Sequence, residues 1–483
     1  MPEAQATRSR SVQRTAVVTA IQGAFALMGK SPELAGRTMV TALDKLAKTN
    51  QQKMVAEWMR EWTKPGNPGV PYLTRIATEL HPNVRKRWMA NFIANFFFRD
   101  PTPLRQLAAE KGISTPTLIA ISPLMRCNLR CTGCYAGNYP RKDDMPAELF
   151  DRIITEAEEL GTRVFFLIGG EPFFYEPLLD VLEQHPDSVF QPYTNATLID
   201  EDVADRLQRM GNVVPAVSLE GFSTETNNRR GNNVFERAMA AMDIMKDRGL
   251  MMAFSATATP NNVDIITSNE WVDMMIEKGA FYGWYFTYVP VGLNPDLNYM
   301  PTPEERNRLR QGVSRVRRTK PLLVADFWND GPLTGGCIAG GRRYIHINNK
   351  ADVEPCVFVH FAVDNLKEKS LVDALGSDFF KGFRSMQPFG HNLLRPCPII
   401  DHPAVIKSLV TKYGARPTHE GADDLFKPDL HHGLIQYAKG VADLYKPVWD
   451  EEYQWVDRWV LEDEEYKRRT AKKMDADEEV ALH

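Results

Sequence analysis

Cys127, Cys131 and Cys134 lie in the run Cys127-Asn128-Leu129-Arg130-Cys131-Thr132-Gly133-Cys134-Tyr135 and make up half of the six cysteines in a 483-residue chain. Their C-x3-C-x2-C spacing puts three thiols on one loop, directly after the apolar run Leu118-Ile119-Ala120-Ile121. Three thiolates can hold three irons of a [4Fe–4S] cube and leave the fourth iron open to a ligand. A zinc reading needs a fourth nitrogen or sulfur ligand, and the nearest upstream histidine is His81, far from this loop in sequence. Cys337, Cys356 and Cys397 form a second, looser group, around the apolar strand Tyr344-Ile345-His346-Ile347 and a turn at 348–352.

The loop needs a frame that repeats. From about residue 116, short apolar runs alternate with amphipathic stretches, which predicts parallel β/α units. Strands are expected at 118–121, 164–168, 188–193, 213–219, 251–257 and 283–289, with helices at 146–160, 234–248, 271–278 and from 303 to about 318. Each strand ends in polar or glycine-rich residues: Gly169-Gly170-Glu171-Pro172 after the second, Thr194-Asn195 after the third, Ser218 and Glu220 at the fourth. Six such units predict an α/β fold built on a partial (β/α)6 barrel, with the candidate residues at one mouth. Residues 12 to about 98 read as helices, as do 404–470.

The cysteine spacing, followed one strand and one helix later by Gly-Gly-Glu-Pro, resembles the radical S-adenosylmethionine (SAM) enzymes over about residues 116–400. The resemblance implies a [4Fe–4S] cluster on Cys127, Cys131 and Cys134 whose open iron chelates SAM. It also implies a SAM-binding edge made by Tyr135 (adenine), Gly169, Gly170, Glu171 and Pro172 (methionyl ammonium), and Thr194, Asn195, Ser218 and Glu220 (ribose and carboxylate). Arg229 or Arg230 would pair the carboxylate. Glu220 stands where many relatives carry Asp. Each of these polar residues also reads as a turn former or helix cap. The stretch from Cys337 through the hairpin to Cys356 resembles the SPASM or twitch extensions, which implies an auxiliary Fe–S cluster on Cys337, Cys356 and Cys397. The full SPASM pattern has more cysteines than this chain supplies, so its fourth ligand is open; His346, His360 and His391 are candidates. A zinc site or three buried thiols is the alternative.

The implied activity is reductive cleavage of SAM to a 5′-deoxyadenosyl radical and hydrogen abstraction from a substrate, as an oxidoreductase or transferase. The substrate class stays open among small molecules, lipids and peptides, and a reductant such as flavodoxin or ferredoxin is expected. A non-catalytic Fe–S scaffold or electron-transfer protein would need the cysteines but not Glu171. A radical SAM methyltransferase is a further alternative, without a D-x-H-x-x-G pattern to support it.

Domains are expected as a helical N-terminal region (1–100), the barrel (116–318), the auxiliary extension (319–400), a helical C-terminal region (401–470) and a disordered tail (471–483). A net charge of −4 and a pI near 6.3 leave no basic footprint for nucleic acid. Clustered cysteines suit a reducing compartment, so a cytoplasmic location is expected. Arg8, Arg10 and Arg14 before the apolar stretch at 16–28 superficially resemble a leader, but Gln22 and two threonines weaken it. The basic, aromatic segment 85–99 reads either as a peripheral membrane contact or as a helix packing on the next domain.

Overall fold

Between Leu118 and Asp326 each apolar run becomes a short parallel strand and each amphipathic run a helix on its outer side. The computed structural model describes residues 31–46, 50–88, 90–91, 108–140 and 142–456, with 19, 23 and 24. The leader-like stretch, segment 92–99, the acidic run 462–465 and the tail lie outside the described residues, apart from positions 19, 23 and 24.

The strands are β1 (Leu118–Ile121), β2 (Val164–Leu167), β3 (Val189–Thr194), β4 (Ala216–Ser218), β5 (Met252–Ala258), β6 (Ala280–Thr287) and β7 (Leu323–Asp326), followed by β8 (Tyr344–Ile347), β9 (Asp352–Glu354), β10 (Phe361–Ala362) and β11 (Asp364–Asn365). One ten-stranded sheet runs β11-β9-β8-β1-β2-β3-β4-β5-β6-β7. Pairing is parallel from β8 through β1 to β7, and antiparallel between β8 and β9 and between β9 and β11. The helices between strands start and stop where the sequence marks them. Asp200 accepts from the Val203 N–H to cap Glu201–Met210, which ends at Gly211 in a left-handed conformation, and Thr302 with Glu305 forms a capping box on Pro303–Thr319.

The strand period of two sorts the residues into two faces. Ile119, Ile121, Phe165, Leu167, Phe190, Val217, Phe254 and Tyr285 are all 0% exposed and lie on one face, as expected for parallel strands covered by helices. Register puts Phe166 beside Gln191, Tyr193 in a row with Ala216, Ala253 and Tyr282, and Ser218 in a row with Ser255 and Trp284 on the other face. Tyr193, Tyr282, Trp284 and Phe286 there are only partly buried, so this inner face is not filled to the density of a core.

Two features differ from the six-strand expectation. Leu323–Asp326 adds a seventh parallel strand beyond β6, and β8 pairs parallel with β1, Leu118 opposite Tyr344 and Ala120 opposite His346. The hairpin thus extends the barrel sheet. Four-residue runs carry no local sign of which edge they will join, because that choice is made by the hydrogen-bonding groups left open at β1 and β6.

The described N-terminal helices (Pro32–Leu46, Asn50–Trp62, Gly69–Glu79, Pro82–Trp88) sit at the end of the barrel where strands begin. Arg75 donates to the carbonyls of Ala280 (3.1 Å), Pro321 (3.1 Å) and Ile276 (3.2 Å), His81 N–H to Gly249 (2.9 Å), and Asn83 to Gln208 (2.9 Å) and Arg209 (2.8 Å). They form a floor at the end of the barrel away from the cysteine loop. Among the described residues no helix is long and apolar enough to cross a membrane. The C-terminal helix Pro428–Glu452 lies along Pro303–Thr319, with the Arg306 guanidinium 5.5 Å from the Tyr445 ring and Arg310 paired to Glu452 at 2.6 Å.

Candidate active site

The cysteine loop leaves β1 and is tied at three points. Gly170 N–H donates to Leu124 O (3.1 Å) and Glu171 N–H to Arg126 O (2.9 Å), holding the start of the loop to the end of β2; Thr132 N–H donates to Arg229 O (2.9 Å) at its middle; Leu293 N–H donates to Cys134 O (3.0 Å) at its end. A side chain on Gly170 would place Cβ 1.8 Å from Arg126 O, and one on Gly169, at φ +108°, 2.2 Å from Leu124 O. These glycines therefore let the cysteine loop itself approach the strand end. Tyr135 turns back over them: its hydroxyl accepts from Gly169 N–H at 3.3 Å, and its ring meets Phe358 of the extension edge-on at 5.7 Å. Pro172 begins a single 3-10 turn capped by Glu171.

Burial at this loop disfavours bare thiolates. Burial pushes Cys127 up to about 12, and Glu171, Cys131 and Cys134 push it further the same way. Cys134 is raised by burial and by Cys131, while the N–H of Ala136 and the charges of Arg229 and Arg230 oppose that. Leu129 N–H points at Cys127 Sγ at 3.4 Å. Arg229 Nε is buried without a partner, an unusual state for a guanidinium donor. Among the described residues no three His, Cys, Asp or Glu side chains converge on one ion position; thiolates that each bind a different iron of a cube do not have to.

The neighbouring polar residues hold one another. Glu171, 1% exposed, accepts from Thr194 Oγ1 (2.6 Å) and Phe173 N–H (3.2 Å) on Oε1 and from Asn195 N–H (2.8 Å) on Oε2. A carboxylate has about four acceptor sites, so one remains. Burial raises its pKa to about 7 against those hydrogen bonds. Asn195 Nδ2 donates to Asn128 Oδ1 at 2.9 Å and lies 4.0 Å from Cys127 Sγ. Ser218 bonds Ser255 at 3.0 Å. Glu220 binds both Arg229 and Arg230, and accepts from Thr257 N–H at 3.1 Å. The arginines expected on a SAM carboxylate are thus already neutralised in part by Glu220, which holds both at the cysteine loop.

Residues 121–264 match the Radical SAM superfamily. That segment, which carries the cysteine loop and the strand-end motifs, is a radical SAM domain. The chain is 22% identical over 285 residues to the AdoMet-dependent heme synthase of Methanosarcina barkeri, covering 53% of this chain and 81% of that one. It is 28% identical over 289 residues to mycofactocin maturase MftC of Mycobacterium tuberculosis, covering 55% and 71%. Streptococcus suis SuiB, solved bound to precursor peptide SuiA, shares the fold at a TM-score of 0.53 and 20% identity over 61% of this chain and 74% of its own.

Beyond this domain, the SPASM/twitch-like extension brings its three cysteines together. Cys356 is raised by burial and also by Cys337 and Cys397; burial, with Asp401 and Cys337, pushes Cys397 up to about 12. Ile399 N–H donates to Cys397 Sγ at 3.4 Å, and the backbone N–H groups of Ala339 and Phe358 oppose the upward shifts of Cys337 and Cys356. The histidines expected as fourth ligands are otherwise engaged. His346 bonds Ser122 Oγ (2.7 Å) and Glu354 (2.5 Å), His360 bonds Val357 O (2.8 Å) and His419 (2.7 Å), and His391 packs on Trp449.

The sequence reading missed a buried chain from Ser122 through His346 and Glu354 to Tyr139, whose hydroxyl lies 2.8 Å from Glu354 and 3.1 Å from Thr418. Its members come from five separate segments, so no spacing announces it. It also missed Thr257 and Asn262, which hold Glu220.

Proposed function

We propose that this enzyme binds a [4Fe–4S] cluster on Cys127, Cys131 and Cys134 and cleaves SAM reductively to abstract hydrogen from an organic substrate seated on the inner face of the barrel. The observation that carries the reading is the meeting of the cysteine loop with Glu171, Asn195 and the Glu220–Arg229–Arg230 triad at one strand edge. When bound, the cluster and SAM supply one-electron cleavage of the sulfonium C5′–S bond and the resulting 5′-deoxyadenosyl radical.

The chain's own residues do the rest. Glu171 has one acceptor site left for an ammonium donor, Arg229 keeps a free Nε beside the loop, and Tyr135 closes the edge over Gly169. Arg229 and Arg230 offset the charge of the thiolates. Phe166, Tyr193, Trp284 and Phe286 present an aromatic surface with ring centroids 5.4–6.3 Å apart, and buried Gln191 Nε2 and Trp284 Nε1 lack partners. That surface suits an unsaturated or apolar group carrying hydrogen-bond acceptors, and it excludes water from a reactive carbon. A peptide presenting such a side chain agrees with the 27% identity over 273 residues to the PqqA peptide cyclase of Methylobacterium nodulans. Cys337, Cys356 and Cys397 would hold a second cluster, which would supply an electron acceptor suited to substrate oxidation.

Anaerobic reconstitution followed by SAM and dithionite should release 5′-deoxyadenosine. Cys131→Ala should abolish that product, and Cys356→Ala should keep at least part of it while lowering iron per chain. A fully loaded parent that yields no 5′-deoxyadenosine, with or without candidate peptide, would sink the reading.

A further inference from the structure

We infer that Gln387 supplies the fourth, non-cysteine ligand of the second cluster, through its amide oxygen. This rests on the reading that Cys337, Cys356 and Cys397 bind a cluster. Gln387 is 1% exposed. Its amide nitrogen donates to Cys337 O at 3.1 Å and to Ala339 O at 3.0 Å, which sets the amide beside Cys337, whose thiol it influences.

Those two carbonyls fix the orientation, because turning the amide over would set oxygen against two oxygens. Oε1 is then left buried with no donor. Such an acceptor is costly when unpaired. Three thiolates leave one iron of a cube short of a ligand, and a neutral amide oxygen beside Cys337 meets that shortage without adding charge. The two alternatives on hand are weaker. His346 and His360 already use both ring nitrogens. The Tyr437 hydroxyl, which is also buried without a partner, belongs to the C-terminal helix and lies towards Cys397; its phenol is raised by burial to about 12.

The test uses the full-length Cys127→Ala/Cys131→Ala/Cys134→Ala protein, reconstituted anaerobically with iron and sulfide so that only the second site can load. About four irons per chain are expected, with one iron distinct in its Mössbauer parameters. Adding Gln387→Ala should remove that distinct signal and make loss of one iron under ferricyanide several-fold faster, with a three-iron EPR signal. Adding Gln387→Cys should give a cluster that resists the same oxidation, which shows that the site still folds. Tyr437→Phe should match the parent. Unchanged Mössbauer and ferricyanide behaviour in Gln387→Ala, or a change in Tyr437→Phe alone, overturns the ligand assignment. An iron-free triple variant overturns the second cluster itself and the assignment with it.

Discussion

At the scale of single residues, Glu171 is the most sharply constrained group of the site. Three internal donors hold it, yet burial lifts its pKa to about 7, so it is neutral below that pH and a carboxylate above it. If its free acceptor site takes the SAM ammonium, binding strengthens as pH rises through 7. Titration calorimetry on the iron-loaded enzyme should show SAM bound about tenfold more weakly at pH 6 than at pH 8. Glu171→Gln, which keeps the shape and loses the charge, should bind weakly at both values; an unchanged pH dependence in that variant would remove Glu171 from the SAM site. Gln387 is the other residue whose role turns on one unpaired atom. The glycines of the second strand's end were legible as a motif, but their reason was not, because the backbone they admit is that of Leu124 and Arg126, some 45 residues earlier.

At the scale of elements, the buried pair Arg306–Asp401 joins the helix Pro303–Thr319 to the loop of Cys397. Both side chains are 0% exposed at 2.6 Å, and Asp401 Oδ2 also accepts from Cys397 N–H at 3.0 Å. Removing one partner of such a pair leaves a buried charge uncompensated, at a cost of about 3–5 kcal/mol. Asp401→Asn should therefore lower the denaturant midpoint and the iron held at the second site, while SAM binding at the first site persists. Iron content equal to the parent's would mean that the Cys397 loop is held by other contacts. The hairpin β8–β9 was readable from its apolar run and turn, whereas its parallel union with β1 was not. His346 reads in sequence as one of three candidate fourth ligands; in the fold it bonds Ser122 and Glu354, which only the sheet register brings to it.

At the scale of the whole molecule, the N-terminal helices close the end of the barrel away from the chemistry, and Arg75 is their clamp. With its side chain 11% exposed, it spends its donors on three carbonyls of the barrel. Arg75→Ala should destabilise the protein by about 2–3 kcal/mol, measured by denaturation, and leave iron loading and 5′-deoxyadenosine release per folded chain intact. Loss of cluster chemistry in a folded Arg75→Ala protein would show that this end communicates with the mouth. The sequence by itself determined the cysteine loop, the order of β/α units and the strand-end motifs, because spacing and hydrophobic period are local properties that survive in one dimension. The tertiary structure alone decided that Glu220 holds both arginines, that a seventh and an eighth strand extend the sheet, that the N-terminal helices form a floor, and that Gln387 lies beside Cys337. Each of those depends on which open hydrogen-bonding group or charge a distant segment meets when the chain closes on itself, and no spacing along the chain encodes that meeting.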